Sequence, residues 1–159
     1  MKLLVLFILL TRFIFAQGEF TEKRYIYALD KTTLFKGSIT LNDDSTIVRY
    51  TSPEKKVLTQ MGNTLTIEEV ESKKTQVIDL SKRIDMNLYF SFMRSIHKKD
   101  FSSLQNYFEM TKEKNVYHLL PKSQVKRAIE KMEITLRGDE MQRMVINFTN
   151  GDVIEIEAL

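Results

Sequence analysis

Apolar and polar residues alternate along most of this chain, which is the pattern of β-strands with one buried face. In the run FKGSITL, the apolar side chains of Phe35, Ile39 and Leu41 share one parity, and polar residues take the other. Further along, Gly62 and Asn63 separate two such runs, and both residues tolerate the positive φ that a tight hairpin needs. This part of the chain is therefore predicted to form antiparallel strands joined by polar turns.

Strands of the same kind are predicted on both sides of this region. We expect about nine short antiparallel strands, with the first at residues 24–30. The last third of the chain is predicted to be a meander over residues 129–136, 142–148 and 152–158, with glycine-containing turns between the strands. The regular spacing of short strands favours a strongly curled sheet or a barrel.

The period of the pattern changes between Ile84 and His97, where Met86, Phe90 and Met93 follow three- and four-residue spacing. This spacing predicts a helix with most of its surface apolar. Such a helix needs apolar surface to cover, and the concave face of a curled sheet supplies it. The predicted fold class is therefore mainly β with a helical insert (α+β), an unclosed antiparallel β-barrel or strongly curled sheet with helices covering the concave face.

The pattern leaves two interpretations of this helix open. In one, helix and sheet form a filled core, which is the usual role of methionine and phenylalanine at helical spacing. In the other, the helix is a lid over an apolar cavity. The side chains of Met86, Phe90 and Met93 suit this second role, because flexible thioethers adapt to ligands of variable shape.

The N-terminal residues resemble a cleavable export signal. Lys2 precedes the apolar run LLVLFILL, and Ala16 occupies a position suited to signal-peptidase cleavage. The apolar run is too short to span a bilayer stably, although an uncleaved N-terminal anchor is the alternative interpretation. We expect residues 1–16 to be a signal peptide, and residues 17–159 to be a single exported domain that begins at Gln17. No cysteine follows the apolar run, so lipidation of the mature N-terminus is excluded.

Net charge argues against a nucleic-acid partner. Cleavage after Ala16 would remove Lys2 and Arg12, which lowers the formal net charge from +3 to +1. The basic residues form short clusters without interleaved aromatic residues, so no nucleic-acid surface is predicted. The chain has no cysteine, so an exported domain of this size must be held together by its hydrophobic core.

Catalytic and metal-binding motifs are absent from the sequence. It has no cysteine, no GxSxG motif and no glycine-rich phosphate loop, and His97 and His118 lack partners at metal-ligand spacing. The inward-facing parities of the predicted strands offer almost no polar residues from which a catalytic cluster could be built. We therefore expect a protein that is not an enzyme and that needs neither a metal nor a cofactor.

Several short sequence features follow the export signal, which has no lipidated cysteine, in a characteristic order. They are F-x-G-x-I at Phe35, Gly37 and Ile39, an aromatic residue and a proline at Tyr50 and Pro53, the Gly62-Asn63 hairpin, the apolar helix, Leu120-Pro121-Lys122, and Gly151-Asp152 before the last strand. In this order, over roughly residues 20–158, the chain resembles the LolA-type periplasmic carriers of outer-membrane lipoproteins.

The resemblance implies an unclosed barrel whose cavity takes the acyl chains of a lipoprotein, with the helix at residues 84–97 as a lid. It implies loading by an inner-membrane ABC-type lipoprotein-releasing complex and delivery to an outer-membrane acceptor, with the carrier acting in the periplasm, and we expect a monomer. The candidate acyl-binding residues are Phe35, Ile39, Leu41, Val48, Tyr50, Leu65, Met86, Phe90 and Met93.

Two departures from the family pattern stand out. Asn42-Asp43 occupies the place of the usual Arg-Pro pair, so the functional arginine of the family cannot be carried over. The amphipathic helix that normally precedes the first strand is reduced to little more than residues 19–23. Two alternatives to the lipoprotein carrier are a periplasmic interaction or scaffold protein with the same fold and a filled core, and a carrier of another lipid.

Overall fold

The computed structural model describes residues 16–98 and 101–159. The predicted export signal therefore lies outside the described residues, except for Ala16, at which the first strand begins.

The described residues form one antiparallel sheet of eleven strands and one α-helix. The strands are β1 (Ala16–Ile26), β2 (Lys31–Leu41), β3 (Ser45–Ser52), β4 (Lys56–Met61), β5 (Thr64–Glu69), β6 (Lys74–Asp79), β7 (Phe108–Glu113), β8 (Val116–Pro121), β9 (Ile129–Arg137), β10 (Glu140–Phe148) and β11 (Val153–Ala158). The helix α1 (Ile84–Lys98) lies between β6 and β7, and single turns of 3-10 helix span Tyr27–Leu29, Leu80–Lys82 and Ser102–Asn106.

The sheet consists of two meanders that are joined by the first and last strands of the domain. The strand order is β6-β5-β4-β3-β2-β1-β11-β10-β9-β8-β7, and each strand is antiparallel to its neighbours. β1 pairs with β11 over six residue pairs, from Phe20 opposite Ala158 to Tyr25 opposite Val153. Among the described residues β6 and β7 do not pair with each other, so the sheet is not closed into a barrel.

The sheet curls around α1, because strands near both of its ends contribute to one core with the helix. Leu65 of β5 and Leu119 of β8 are completely buried in the same cluster as Phe92 and Met93 of α1. Burial of each such side chain contributes about 1.5–3 kcal/mol to folding. The core therefore fills the concave side of the sheet beneath the C-terminal half of the helix.

The mainly β fold with a helical insert is confirmed, whereas several predicted details differ from the structure. The sheet has eleven strands rather than nine, and the part of the chain that the structure describes has one α-helix rather than several. The first strand runs over Ala16–Ile26 and not over residues 24–30, and residues 19–23 are strand rather than the remnant of a helix. The Gly62-Asn63 hairpin is confirmed, since Met61 pairs with Thr64 and Gly62 has a φ of 54°.

Gly37 is required where β1, β2 and β3 pack most closely. A Cβ atom at this position would lie 2.5 Å from the carbonyl oxygen of Arg49 and 2.9 Å from the ring of Phe20. The rings of Phe20 and Tyr50 meet edge to face, with centroids 5.8 Å apart. Neither the backbone of β3 nor this aromatic pair has room to move away, because both are part of the core.

We expect the substitution Gly37→Ala to lower the free energy of unfolding by about 1–3 kcal/mol, because it overpacks this contact. Gly18→Ala on β1 is the matched control, since a Cβ atom there would have no atom within 4 Å. Urea unfolding of the two variants measures the difference. Equal stability of Gly37→Ala and the unsubstituted protein would contradict the close approach of β2 and β3.

Candidate functional site

A pocket of about 930 Å³ opens between the N-terminal half of α1 and the concave face of the sheet. Its volume is in the upper part of the range typical of small-molecule sites, about 300–1,000 Å³. Its wall is formed by inward-facing residues of β1–β6 and β9–β11, by α1, and by the segment between β8 and β9. The apolar residues in the wall are Phe35, Tyr50, Pro53, Leu58, Ile67, Ile84, Met86, Leu88, Tyr89, Phe90, Phe92, Val125, Ala128, Ile129, Ile146, Phe148 and Ile154.

The structure divides the nine candidate acyl-binding residues between the pocket and the core. Four of them, Phe35, Tyr50, Met86 and Phe90, line the pocket. The other five are buried in the core and are not part of the pocket wall; they are Ile39, Leu41, Val48, Leu65 and Met93. The side chains of the candidates on β2 and β3 all lie on the concave side of the sheet, and they differ in their position along the strand.

The position of α1 explains this division. The guanidinium of Arg94, near the C-terminal end of the helix, donates to Thr46 Oγ1 at 3.0 Å and to the backbone oxygen of Asp43 at 2.7 Å. These bonds hold the C-terminal half of α1 against the β2–β3 turn, beside which Leu41 is buried. The N-terminal half of the helix shares the pocket wall with Phe35. One part of the concave face is therefore packed, and the other is left open.

The pocket wall also contains a polar cluster that the sequence analysis missed, consisting of Glu22, Arg24, Tyr50 and Tyr89. The Glu22 side chain is completely buried and forms an ion pair with Arg24 through Nε of the guanidinium. The Tyr50 hydroxyl donates to Glu22 Oε2 at 2.7 Å and accepts from Arg24 Nη2 at 3.0 Å. The guanidinium carbon of Arg24 also lies 4.4 Å from the centre of the Phe35 ring, within the range of a cation–π contact.

The cluster was missed because the first strand was placed too late in the sequence. Glu22 and Arg24 share their parity with Phe20, so a strand that begins at Ala16 directs all three side chains inward. A strand over residues 24–30 leaves Glu22 outside it, and the expectation of almost no inward polar residues followed from that placement. The period-two alignment of Glu22 and Arg24 with buried Phe20 was the available signal.

Burial determines the protonation of the two tyrosines. It raises the pKa of Tyr50, and the negative charge of Glu22 raises it further. The pKa of Tyr89 is raised for the same reasons, with Tyr50 and Glu22 as its neighbours. Burial alone would lower the pKa of Arg24, but the charge of Glu22 reverses this effect and the pKa is raised. Near neutral pH the cluster therefore presents neutral phenols and a charged guanidinium.

The described residues contain no group of three or more His, Cys, Asp and Glu side chains that could hold a metal ion. His118 on β8 is partly exposed, and its Nδ1 atom lies 3.5 Å from Oε1 of Glu133 on the neighbouring strand β9. No helix in the described part of the chain is long and apolar enough to cross a membrane. The pocket with its polar cluster is the candidate functional site.

We expect Arg24→Met to lower the free energy of unfolding by about 2 kcal/mol, because it leaves the buried carboxylate of Glu22 without its cation. The value is at the low end for buried ion pairs because the Arg24 side chain is 39% exposed. The double variant Glu22→Gln with Arg24→Met should recover most of this loss, since it removes both charges. Urea unfolding of both variants tests this coupling, and equal losses in the two would contradict it.

Comparisons with known proteins inform the fold alone. No protein family model and no curated protein matches the sequence. A chain of the Pseudomonas aeruginosa MucA/MucB complex has a similar structure, with a TM-score of 0.50 and 11% identity over 89% of this chain. The present chain spans about half of that neighbour, 49% of its length.

Two further solved structures are similar at lower scores. A DUF1329 family protein from Desulfovibrio piger has a TM-score of 0.44 and 10% identity, covering 90% of this chain and 82% of its own. A protein from Vibrio parahaemolyticus, described as an outer membrane lipoprotein-sorting protein domain, has a TM-score of 0.40 and 10% identity, with coverages of 89% and 82%.

Proposed function

We propose that this protein is a periplasmic carrier of the LolA type, which shields an acyl chain of a lipoprotein in its pocket and transfers it from the inner to the outer membrane. The observation that carries this proposal is the incomplete filling of the concave face, which leaves a pocket of about 930 Å³ with a largely apolar wall. A pocket of this kind is the usual form of a site for an apolar ligand.

The same observation favours the carrier over the scaffold protein with a filled core. A scaffold with a filled core would have Phe90 and its neighbours packed against the sheet along the whole helix. Here Phe90 is buried and still forms part of the pocket wall. The packed core lies beneath the other half of α1, so the domain has both a core that stabilises it and space for a ligand.

The energetic need for such a carrier follows from the hydrophobic effect. Withdrawing a sixteen-carbon chain from water is worth on the order of 12 kcal/mol, at about 0.8 kcal/mol per methylene. Free diffusion of an acylated protein between membranes is therefore negligible. A pocket and a bilayer shield the same methylenes, so transfer between them depends only on the small difference between the two affinities. The carrier does not need to hydrolyse anything.

Binding without catalysis is consistent with the polar cluster. The raised pKa values of Tyr50 and Tyr89 keep both hydroxyls protonated near neutral pH, so neither is a ready nucleophile or base.

We propose that the protein acts as a monomer. We further propose that it is loaded by an inner-membrane ABC-type lipoprotein-releasing complex and unloaded by an outer-membrane acceptor. Periplasmic location depends on the export signal predicted at residues 1–16.

Thr33→Trp should weaken binding of a neutral apolar dye or an acyl chain at least tenfold, because the indole would occupy the pocket. Thr33 lies in the pocket wall on β2. Thr32→Trp is the control, since its side chain is exposed on the opposite face of the same strand. Fluorescence titration measures both affinities. Equal binding by the two variants would show that the dye is bound elsewhere.

The cargo itself is tested by producing residues 17–159 in a bacterial periplasm and analysing the purified protein for bound material by mass spectrometry. We expect acylated protein or peptide from the unsubstituted chain, and less of it from Thr33→Trp. Recovery of phospholipid alone would favour the carrier of another lipid. Recovery of no acylated molecule, together with no dye binding, would overturn the proposal.

A further inference from the structure

An ion pair between Glu22 and Arg24 in the wall of an otherwise apolar pocket is costly unless it has a role there. Replacing a buried pair by apolar residues is often neutral or stabilising, so the pair is weak evidence for stability. The pair lies where β1 leaves the core. Among the residues on the inward face of this strand, Phe20 is 2% exposed and Glu22 is 0% exposed, whereas Ile26 at the end of the strand is 37% exposed. Arg24 therefore lies at the level where the pocket wall meets the exposed end of the β1–β2 hairpin.

The guanidinium of Arg24, which is part of the pocket wall, retains N–H donors that no described residue uses. An arginine has five N–H groups, and the described residues engage the guanidinium of Arg24 through Nε and Nη2. No described residue accepts from Nη1, and the Arg24 side chain is 39% exposed. The contacts with Glu22, Tyr50 and Phe35 hold the guanidinium in one orientation. The free N–H groups are thus directed by the protein before any ligand arrives.

The hydroxyl of Tyr89 is a second polar group at this place. It is buried and lies close to the hydroxyl of Tyr50, but the two do not form a hydrogen bond of standard geometry. Tyr89 also lines the pocket beside Glu22 and Arg24. A buried hydroxyl without a well-formed hydrogen bond is destabilising, so this position also favours a ligand with a hydrogen-bond acceptor.

The charges of the wall favour a neutral acceptor over an anion. The carboxylate of Glu22 already balances the charge of Arg24. The remaining charged residues in the wall are of both signs and equal in number; they are Lys31, Lys56, Arg127, Glu54, Glu69 and Asp85. The pocket therefore offers oriented N–H donors without a net positive charge. A carbonyl oxygen matches such donors, whereas a carboxylate or phosphate gains little net attraction.

We propose that Arg24, oriented by Glu22 and Tyr50, donates a hydrogen bond to the carbonyl oxygen of the ester or amide that joins an acyl chain to the molecule that is carried. This inference rests on the proposed function and specifies its ligand as a linked acyl chain rather than a free fatty acid. Esters and amides share this carbonyl, and the hydrocarbon tail occupies the apolar part of the pocket beside Phe90 and Ile146.

Two neutral probes isolate the carbonyl. Methyl palmitate and hexadecyl methyl ether have the same number of carbon atoms and differ in that a methylene replaces the carbonyl. Each is added to compete with a neutral fluorescent dye in the pocket, and palmitate is the charged comparison. We expect the ester to bind about tenfold more tightly than the ether, which is the size of a hydrogen bond to a charged donor. Palmitate should bind no more tightly than the ester.

The variant that tests the residues is Glu22→Gln with Arg24→Met, which removes both charges together. We expect the ester and the ether to bind with equal affinity in this variant, so that the tenfold advantage of the ester is lost whatever the change in affinity that the two probes share. The matched control is Glu155→Gln with Arg143→Met. This is also an Arg–Glu pair, with Nε and Oε1 2.6 Å apart on β10 and β11, and it lies outside the pocket wall. The control should keep the full preference for the ester.

The outcomes separate this inference from the proposed function. Equal binding of ester and ether by the unsubstituted protein would overturn the inference and leave the carrier function standing. An ester preference that survives in the pocket variant, or palmitate binding more tightly than the ester, would overturn it as well. If none of the three probes displaces the dye or binds at all, the proposed function fails together with this inference.

Discussion

In the part of the chain that the structure describes, one α-helix has to cover the concave face of an eleven-stranded sheet, and this mismatch in size determines how the interior is filled. A 15-residue helix is about 22 Å long, whereas eleven strands laid flat span roughly 48 Å. The sheet must curl for the helix to contact both of its halves. Even then α1 is packed closely along only part of its length. The 3-10 turn containing Leu104 and the segment containing Val125 add apolar residues to the core, and the pocket remains open.

The anchoring of α1 at one end gives the two halves of the concave face different properties. Arg94 and the buried residues around Met93 join the helix to the β2–β3 turn and to the core. At the other end, Ile84 is 49% exposed and Asp85 forms its ion pair with nearby Arg83. The C-terminal half of α1 is anchored to the core, and the N-terminal half borders the ligand space.

The sequence correctly predicted the type of fold. It did not predict which inward-facing residues form the packed core and which form the pocket wall. Alternation of Phe35, Ile39 and Leu41 correctly predicted one buried face of β2, and the changed period from Ile84 correctly predicted the helix. Parity places a side chain on a face and does not show how far along that face the helix reaches. For this reason Ile39 and Phe35 were grouped together, although one lies in the core and the other in the pocket wall. Glu22 was missed because the first strand was placed too late in the sequence, and because its partner Tyr50, 28 residues away, gives no local signal for an inward charge.

The pairing of β1 with β11 has a consequence for the order in which the domain assembles. Phe20 lies opposite Ala158 in the pairing of β1 with β11, so the centre of the sheet is completed only when β11, the last of the described strands in chain order, is available. Until then β1 has β2 on one side and an unpaired edge on the other, which is a site for non-native strand pairing. Contacts between such distant residues also form slowly. A shortened chain that lacks residues 153–158 would retain both meanders in sequence and lose the joint that makes them one sheet.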